Sequence, residues 1–354
     1  MKITICAIAK NEDRYLEDWL KYHYDMGFTH ITVYDNNIVE RRGEVEQMIK
    51  KSKKLKKWMK KNTSIVDVCG ISGYQVKAYS EYYKNNTFDW CAFLDIDEFV
   101  EIVHWNSLMD MLTDPMFESA GAIHLPWDTI SDDDIVDVPD DFVYKGKRAS
   151  TIRDPNMREK AASEWETIPV YKRFHISSFT YEPHCVKQFI RGGFGDIKVD
   201  VHHLNNRSIN ILTPNGKPRP EGHNFNQMNE DEFEEYRNFA CIKHYRTKTI
   251  REYLRQKYLN RSSAINTHNR TFFVYDYFFR INNKTPEKEE YYRNHHIPIS
   301  LNILATDSLY DEDENPDDLC YIIGANAKKY KSPFVVGEQF VLDHLDAIDM
   351  ITIV

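Results

Sequence analysis

The sequence predicts an α/β protein: a Rossmann-like, doubly wound, mixed but mostly parallel sheet with helices on both faces, followed by a smaller, mainly helical C-terminal region. Three observations carry this. Strand-like and helix-like patterns alternate through residues 1 to 100. The run Trp90 to Leu94 is continuously apolar and bounded by Asp89 and Asp95, as suits a central parallel strand buried on both faces. A chain of 354 residues is long enough for one large domain with an appended region.

The elements follow in order. Ile3 to Ala9 reads as a first strand, and Glu12 to Met26 as a helix with Leu16, Trp19, Leu20, His23 and Tyr24 on one face and Gly27 as its stop. Ile31 to Tyr34 is a second strand, ending at Asp35-Asn36-Asn37. Val45 to Met59 has the spacing of an amphipathic helix, Thr63 to Cys69 is a third strand, Gln75 to Tyr83 a helix, and Trp90 to Leu94 the fourth strand. Beyond Val100 the pattern loosens. Ala122 to Trp127, Val170 to Phe174 and Val186 to Ile190 read as strands, Arg148 to Glu166 as a polar excursion, and Thr247 to Arg261 as a helix. The expected division is a catalytic domain over residues 1–260 and an extension over 261–354.

A net charge of −9 argues against a general nucleic-acid binder. The six cysteines lack metal-type spacing and read as reduced thiols. The apolar start is too short for an export signal, and no run approaches the roughly 20 residues that span a bilayer. A cytoplasmic protein, at most peripheral on the inner face of a membrane, is expected.

Chemistry gathers at the strand ends. Asp95 and Asp97 stand just past an apolar strand, where open α/β sheets hold their ligands. Residues two apart in an extended segment face one way, so both carboxylates are expected to reach one cation, while Glu98 faces away and orients the loop or the acceptor. Hard oxygen ligands of this kind take Mg2+ or Mn2+ beside phosphate oxygens. Asp35, and Glu12 after the first strand, would line the same edge. Each of these acids also has a plainer reading, as a turn residue or a solvated loop charge.

The order of these pieces resembles the inverting glycosyltransferases of family 92 and related family-2-like enzymes. The matching residues are Ala9-Lys10-Asn11-Glu12 with the helix Leu16 to His23 and Gly27, then Val33-Tyr34-Asp35-Asn36-Asn37, Gln75, Phe93-Leu94-Asp95-Ile96-Asp97-Glu98-Phe99, and Ile242-Lys243-His244-Tyr245-Arg246-Thr247-Lys248-Thr249. The resemblance implies a GT-A fold and a metal-dependent, inverting transfer from a nucleotide sugar, a uridine diphosphate sugar by preference, to a glycan or lipid-linked saccharide. On that reading Glu12 and Asp35 lie near the uridine. Gln75 and Asp95 belong to the donor site, with Asp95 facing the ribose and diphosphate. Asp95, Asp97 and His244 hold Mn2+ or Mg2+, with His202 and His203 competing for the histidine role, and Lys248 contacts the diphosphate. The general base is expected among acceptor-side carboxylates. Asp128 is the first choice, with Asp132, Asp133, Glu164 and Glu166 as rivals. Here the chain departs from the family, which runs Phe-Gly where this sequence has Asp128-Thr129-Ile130-Ser131-Asp132.

Two other readings share the Asp-X-Asp signal. Haloacid-dehalogenase-like phosphatases use Asp-X-Asp as a nucleophile motif, but on the first strand and with Thr or Val where this chain has Phe99. A non-catalytic saccharide- or nucleotide-binding module would keep the fold without the transfer. Separately, the eight lysines between Lys50 and Lys61 read either as the wet face of a helix or as a contact for anionic membrane.

Overall fold

The computed structural model describes residues 1–71, 73–178, 186–202, 204, 208–219, 230–254, 278–279 and 281–294. These divide into two compact units. The first combines Met1–Ser131 with Glu166–Lys248, and the second combines Asp132–Trp165 with residues from Thr249 onward. Most of the expected 261–354 extension lies outside the described residues, as does the helix pattern beyond residue 254.

The first unit is the doubly wound α/β sheet that the strand and helix pattern predicts. Its strands are β1 (Ile3–Ala9), β2 (His30–Asp35), β3 (Thr63–Asp67), β4 (Trp90–Asp95), β5 (Glu98–Ile102), β6 (Ala122–Thr129), β9 (Val186–Arg191), β10 (Ile211–Leu212) and β11 (Ala240–His244). They form one nine-stranded sheet in the order β3-β2-β1-β4-β9-β6-β11-β5, with β10 on β6. Strands β1, β2, β3 and β4 run parallel, and β9 and β5 are the antiparallel members. The parallel strands are apolar throughout because helices cover both faces: Ile3, Ile5, Ala7, Ile31, Val33, Cys91, Ala92, Phe93 and Leu94 are all buried.

The strand order contains a closure. β5 lies at the opposite end of the sheet from β3, yet only Ile96 and Asp97 separate it from the end of β4. The sheet therefore curls until β5 starts beside the end of β4. Helix α1 (Asp13–Met26), stopped by Gly27 at φ 117°, covers the outer edge of β5. Trp19 Nε1 donates to the Glu98 carbonyl at 2.7 Å and Tyr22 OH to the Val100 carbonyl at 2.8 Å. A buried edge strand needs such partners for its outward backbone groups.

Several elements differ from the sequence pattern. Val45 to Met59 is two helices, α2 (Glu44–Lys51) and α3 (Lys57–Lys61). Ser52 ends the first: its Oγ accepts from the backbone of Lys54 and Leu55, which competes with helix continuation. Val170 to Phe174 is not a strand but opens as a 3-10 turn over Val170–Lys172, because Pro169 fixes φ at −53°. Strands β5 and β11 escaped the pattern because charged residues break their apolar alternation. α4 (Gln75–Asn85), the short α5 (Leu108–Thr113) and α7 (Glu230–Arg237) complete this unit.

In the second unit a hairpin, β7 (Val143–Tyr144) and β8 (Lys147–Arg148), turned by Lys145 and Gly146 with positive φ, leads into the polar excursion that opens at Arg148, which contains α6 (Pro155–Trp165). α8 (Ile250–Leu254) and α9 (Pro286–Asn294) belong with it. Lys288 of α9 is buried and bonds Asp132 and Asp134, while Tyr253 packs on Phe278 at 5.2 Å.

The α1 contact yields a prediction. Replacing Trp19 by Phe strands the buried Glu98 carbonyl and should lower stability by about 1–3 kcal/mol in urea unfolding. No change would show that α1 does not pin β5.

Candidate functional site

The strand order reverses at β1: the chain winds outward through β2 and β3, then returns to the other side of β1 as β4. A switch point of this kind opens a crevice at the carboxyl ends of the strands, the usual ligand position in open α/β sheets. Ala9, Asp35, Asp95, Thr129 and His244 all end strands at that one edge.

On the β1–β2 side, Asp35 is fully buried, paired in register with Ala9. Its Oδ1 accepts from Asn37 N, Asn37 Oδ1 accepts from Asn11 N at 2.7 Å, and Asn36 N donates to the Ala9 carbonyl. Asn36 and Asn37 thus do make the turn that their composition predicts, and in doing so they fix Asp35. Burial pushes its carboxyl above the ordinary value, partly offset by Asn37. The Glu12 carbonyl starts α1 by accepting from Tyr15 N and Leu16 N. Lys248, at φ 57°, is buried with its ammonium 4.5 Å from the centre of the Tyr15 ring of α1.

On the β4 side the organising group is Lys187, the second residue of β9 and completely buried. Its Nζ lies 2.8 Å from Asp95 Oδ2 and 3.3 Å from Glu98 Oε2. Glu98 Oε2 also accepts from Asp95 N at 2.8 Å, locking the turn between β4 and β5. The other oxygen of Asp95 accepts from Gln75 Nε2 at 2.6 Å and from Tyr79 OH at 3.3 Å, both on α4. Gln75 and Asp95, expected to serve one site, are therefore in direct contact. Sequence reasoning passed over Lys187, although a lysine inside the apolar run Val186 to Ile190 signals a buried, partnered charge.

Burial alone would neutralise Asp95, yet the Lys187 ammonium beside it holds its carboxyl below the ordinary value. Glu98 moves the other way: burial, with Asp95 and Asp97 close by, raises it well above the usual carboxylate range. One lysine thus serves two buried acids, and of the two Glu98 is the one whose protonated form burial favours. Burial also works against the ammonium, but the two acids hold Lys187 above its ordinary value.

Asp97 does not share a cation position with Asp95. Ile96 and Asp97 form a turn rather than extended strand, so the rule that residues two apart face alike does not apply. Asp97 Oδ1 instead lies 3.4 Å from His244 Nε2, and the Asp97 carbonyl accepts from Tyr245 N. His244 and His202 flank the ring of Trp127 at 4.2 and 4.9 Å. Burial lowers both imidazoles, His202 to about 3, so both are neutral near pH 7. Four buried polar atoms around this corner have no hydrogen-bond partner among the described residues: Glu98 Oε1, Trp127 Nε1, His202 Nδ1 and His244 Nδ1. His203 lies outside the described residues.

The expected metal set therefore fits only in part. Asp95 already accepts from Lys187, Gln75 and Tyr79, an arrangement that suits a hydrogen-bond acceptor better than a metal ligand. Asp97 and His244 do fit: a carboxylate oxygen and a neutral imidazole nitrogen side by side suit a divalent ion such as Mn2+. Among the described residues no three His, Cys, Asp or Glu side chains form a metal centre, so such an ion would depend on ligand oxygens for the rest of its shell.

Asp128, the first choice for the general base, lies away from the Lys187 corner. Lys187 pairs with Leu125, Ile242 with Trp127 and His244 with Thr129, so Leu125, Trp127 and Thr129 face the Lys187 corner. Asp128 alternates with them and points to the other face of the sheet, beside its register partner Lys243, hydrogen-bonded by Ser177 Oγ. Among its rivals, Glu166 is buried in an ion pair with Arg14. Asp132, Asp133 and Glu164 belong to the second unit.

The comparisons come to bear at this point. The chain is similar to a glycosyltransferase family 92 protein of Oryza sativa subsp. japonica. The two are 26% identical over 115 residues, 31% of this chain and 18% of the rice protein, so the match spans under a fifth of that relative. No family model matches the chain. Among solved structures, Staphylococcus aureus TarS in complex with UDP overlaps 41% of this chain and 40% of its own, at 14% identity and a TM-score of 0.28. The galactosyltransferase LgtC, in complex with donor and acceptor sugar analogs, overlaps 49% and 67%, at 16% identity and a TM-score of 0.22. These overlaps are partial, and the fold is argued from the strand order alone.

The Lys187 cluster makes a signed prediction. Its pairing with Asp95 contributes fully above pH 3.8, the ordinary Asp value, and is lost as pH falls through the lowered value in the folded state. At the alkaline end the contribution is present below pH 10.5 and lost as pH rises through the raised Lys187 value. Glu98 acts oppositely, since burial favours its protonated form, and costs stability as pH rises above 4.5. At neutral pH Lys187→Met should therefore cost about 3–5 kcal/mol in urea unfolding. Glu98→Gln, which mimics the protonated acid, should cost under about 1.5 kcal/mol. Equal losses would contradict the protonation scheme.

Proposed function

We propose that the chain is a glycosyltransferase that binds a nucleotide sugar, with a uridine diphosphate sugar as donor, at the edge of the sheet where β1 and β4 part. The observation that carries this is an ionised carboxylate, Asp95, held rigidly at a topological switch point beside buried polar atoms that lack partners among the described residues. Such a corner suits a ligand with many hydroxyls and charged oxygens better than an apolar one. The similarity to the rice family 92 protein supports the reaction class.

In this reading the polar turn of Asn11, Asp35 and Asn37 meets the nucleoside, with Glu12 near it, and Asp95 accepts a hydrogen bond from a ribose hydroxyl. Gln75, Tyr79 and Lys187 fix the rotamer of Asp95, so the acceptor is in place before the donor arrives. The Asp97 and His244 pair would hold Mn2+ or Mg2+, which supplies charge neutralisation for the departing diphosphate. Lys248 is the cation proposed for the diphosphate, reaching it from its seat on Tyr15. The sugar acceptor is a glycan or lipid-linked saccharide, and the transfer inverts the anomeric centre. A phosphatase reading gains nothing: Asp95 lies on the fourth strand, not the first, and three donors hold it in place.

Incubating the protein with a panel of nucleotide sugars and Mn2+ should release UDP from uridine diphosphate sugars in preference to others. Asp97→Ala and His244→Ala should each cut that release at least about 100-fold, the order lost with one charge-stabilising group. Full activity in both variants would remove the role given to that pair. With a competent acceptor, NMR of the product should show the anomeric configuration opposite to the donor's, and retention would contradict the inverting course.

A further inference from the structure

We propose that residues Lys50 to Lys61 form a docking surface for an anionic lipid bilayer, with Trp58 entering the headgroup region. The proposal stands independently of the donor-site reading, because it rests on a different part of the first unit.

The chain carries a net charge of −9, yet eight of the twelve residues from 50 to 61 are lysines and none is acidic. The fold compacts them. Lys60 Nζ donates to the carbonyls of Lys50 at 3.0 Å and Ser52 at 2.6 Å, tying the end of α2 to α3 and gathering loop and helix lysines onto one local surface. Three of the eight are spent internally: Lys60 on those carbonyls, Lys50 on Glu46, and Lys54 on Asp18. Lys51, Lys53, Lys56, Lys57 and Lys61 are exposed, and none has an ion-pair partner among the described residues.

Within this lysine-rich segment Trp58, next to Lys57 in α3, is 43% exposed, and its ring meets Tyr24 at 5.1 Å. An exposed indole in a run of lysines suits a partner that offers negative charge and an apolar layer within a few ångströms of each other. A lipid headgroup region provides that combination, and tryptophan favours that depth. A nucleic acid or acidic protein would be met better by arginine forks, and the segment contains no arginine. Each lysine near an anionic membrane strengthens partitioning about five-fold, so the five free ones together contribute on the order of a thousand-fold. The acidic remainder of the chain would be repelled, which leaves this surface as the one that docks.

The test is co-sedimentation of the full chain with vesicles of phosphatidylcholine alone and of phosphatidylcholine with phosphatidylserine, at physiological ionic strength. Wild-type protein should pellet with the phosphatidylserine vesicles only. The variant combining Lys51→Ser, Lys53→Ser, Lys56→Ser, Lys57→Ser and Lys61→Ser should stay in the supernatant, and Trp58→Ala should weaken pelleting while abolishing a blue shift in emission. Should the fivefold variant melt early by circular dichroism, the pair Lys56→Ser and Lys57→Ser should still lower partitioning about 25-fold. Absence of phosphatidylserine-dependent pelleting, or pelleting unchanged in the lysine variants, overturns the proposal. Retention on heparin or duplex DNA at the same salt, with Trp58→Ala without effect on vesicles, also overturns it in favour of a general polyanion surface.

Discussion

A single buried ammonium holds the functional corner of this protein together. Lys187 has no contact with solvent and two carboxylates within 3.3 Å, one at the end of β4 and one at the start of β5. Burying a lysine is costly unless it is paired, and here the pairing closes the curl of the sheet. Because only two residues separate Asp95 from Glu98, the ion pair fixes both the closure and the direction in which each carboxylate points. Helix α1 seals the outside of the same turn through Trp19 and Tyr22. Stability and site geometry therefore depend on one set of contacts.

The closure also separates chemical roles. Asp95, held by Lys187, Gln75 and Tyr79, is a rigid acceptor whose Oδ2 takes only one of these three bonds. Asp97, released from strand geometry by the turn, meets a neutral histidine instead. Two aspartates that look equivalent in the sequence thus occupy different electrostatic settings, one dominated by a cation and one by an imidazole. The β1–β2 side of the crevice is built differently again, from asparagine side chains that clamp backbone groups at the ends of β1 and β2.

Much of this was legible in the sequence. The parallel strands announced themselves as apolar runs ending in polar residues, and that pattern placed Asp35 and Asp95 at the proper edge of the sheet. Gln75 entered only through the family resemblance, and the structure sets it against Asp95. What escaped had physical causes. Lys187 is one charge within an apolar strand, and its meaning depends on partners 89 to 92 residues away in sequence. The divergence of Asp95 and Asp97 depends on where β4 stops, a boundary that periodicity does not fix. The facing of Asp128 was not legible, because it is set by the register of β6 with β9 and β11. The edge strand β5 hid behind Glu98 and Glu101, one buried as an acid and the other paired with Lys243.

The central claim is that this Lys187-anchored corner is a nucleotide donor site. Titration calorimetry of UDP into the wild-type chain and into Asp95→Asn, each with and without Mn2+, tests it most directly. The account predicts stoichiometric UDP binding to the wild type, strengthened by Mn2+, and binding at least about tenfold weaker in Asp95→Asn, as expected for loss of one charge-assisted hydrogen bond. No UDP binding under either condition, or equal affinity in the two proteins, would contradict it.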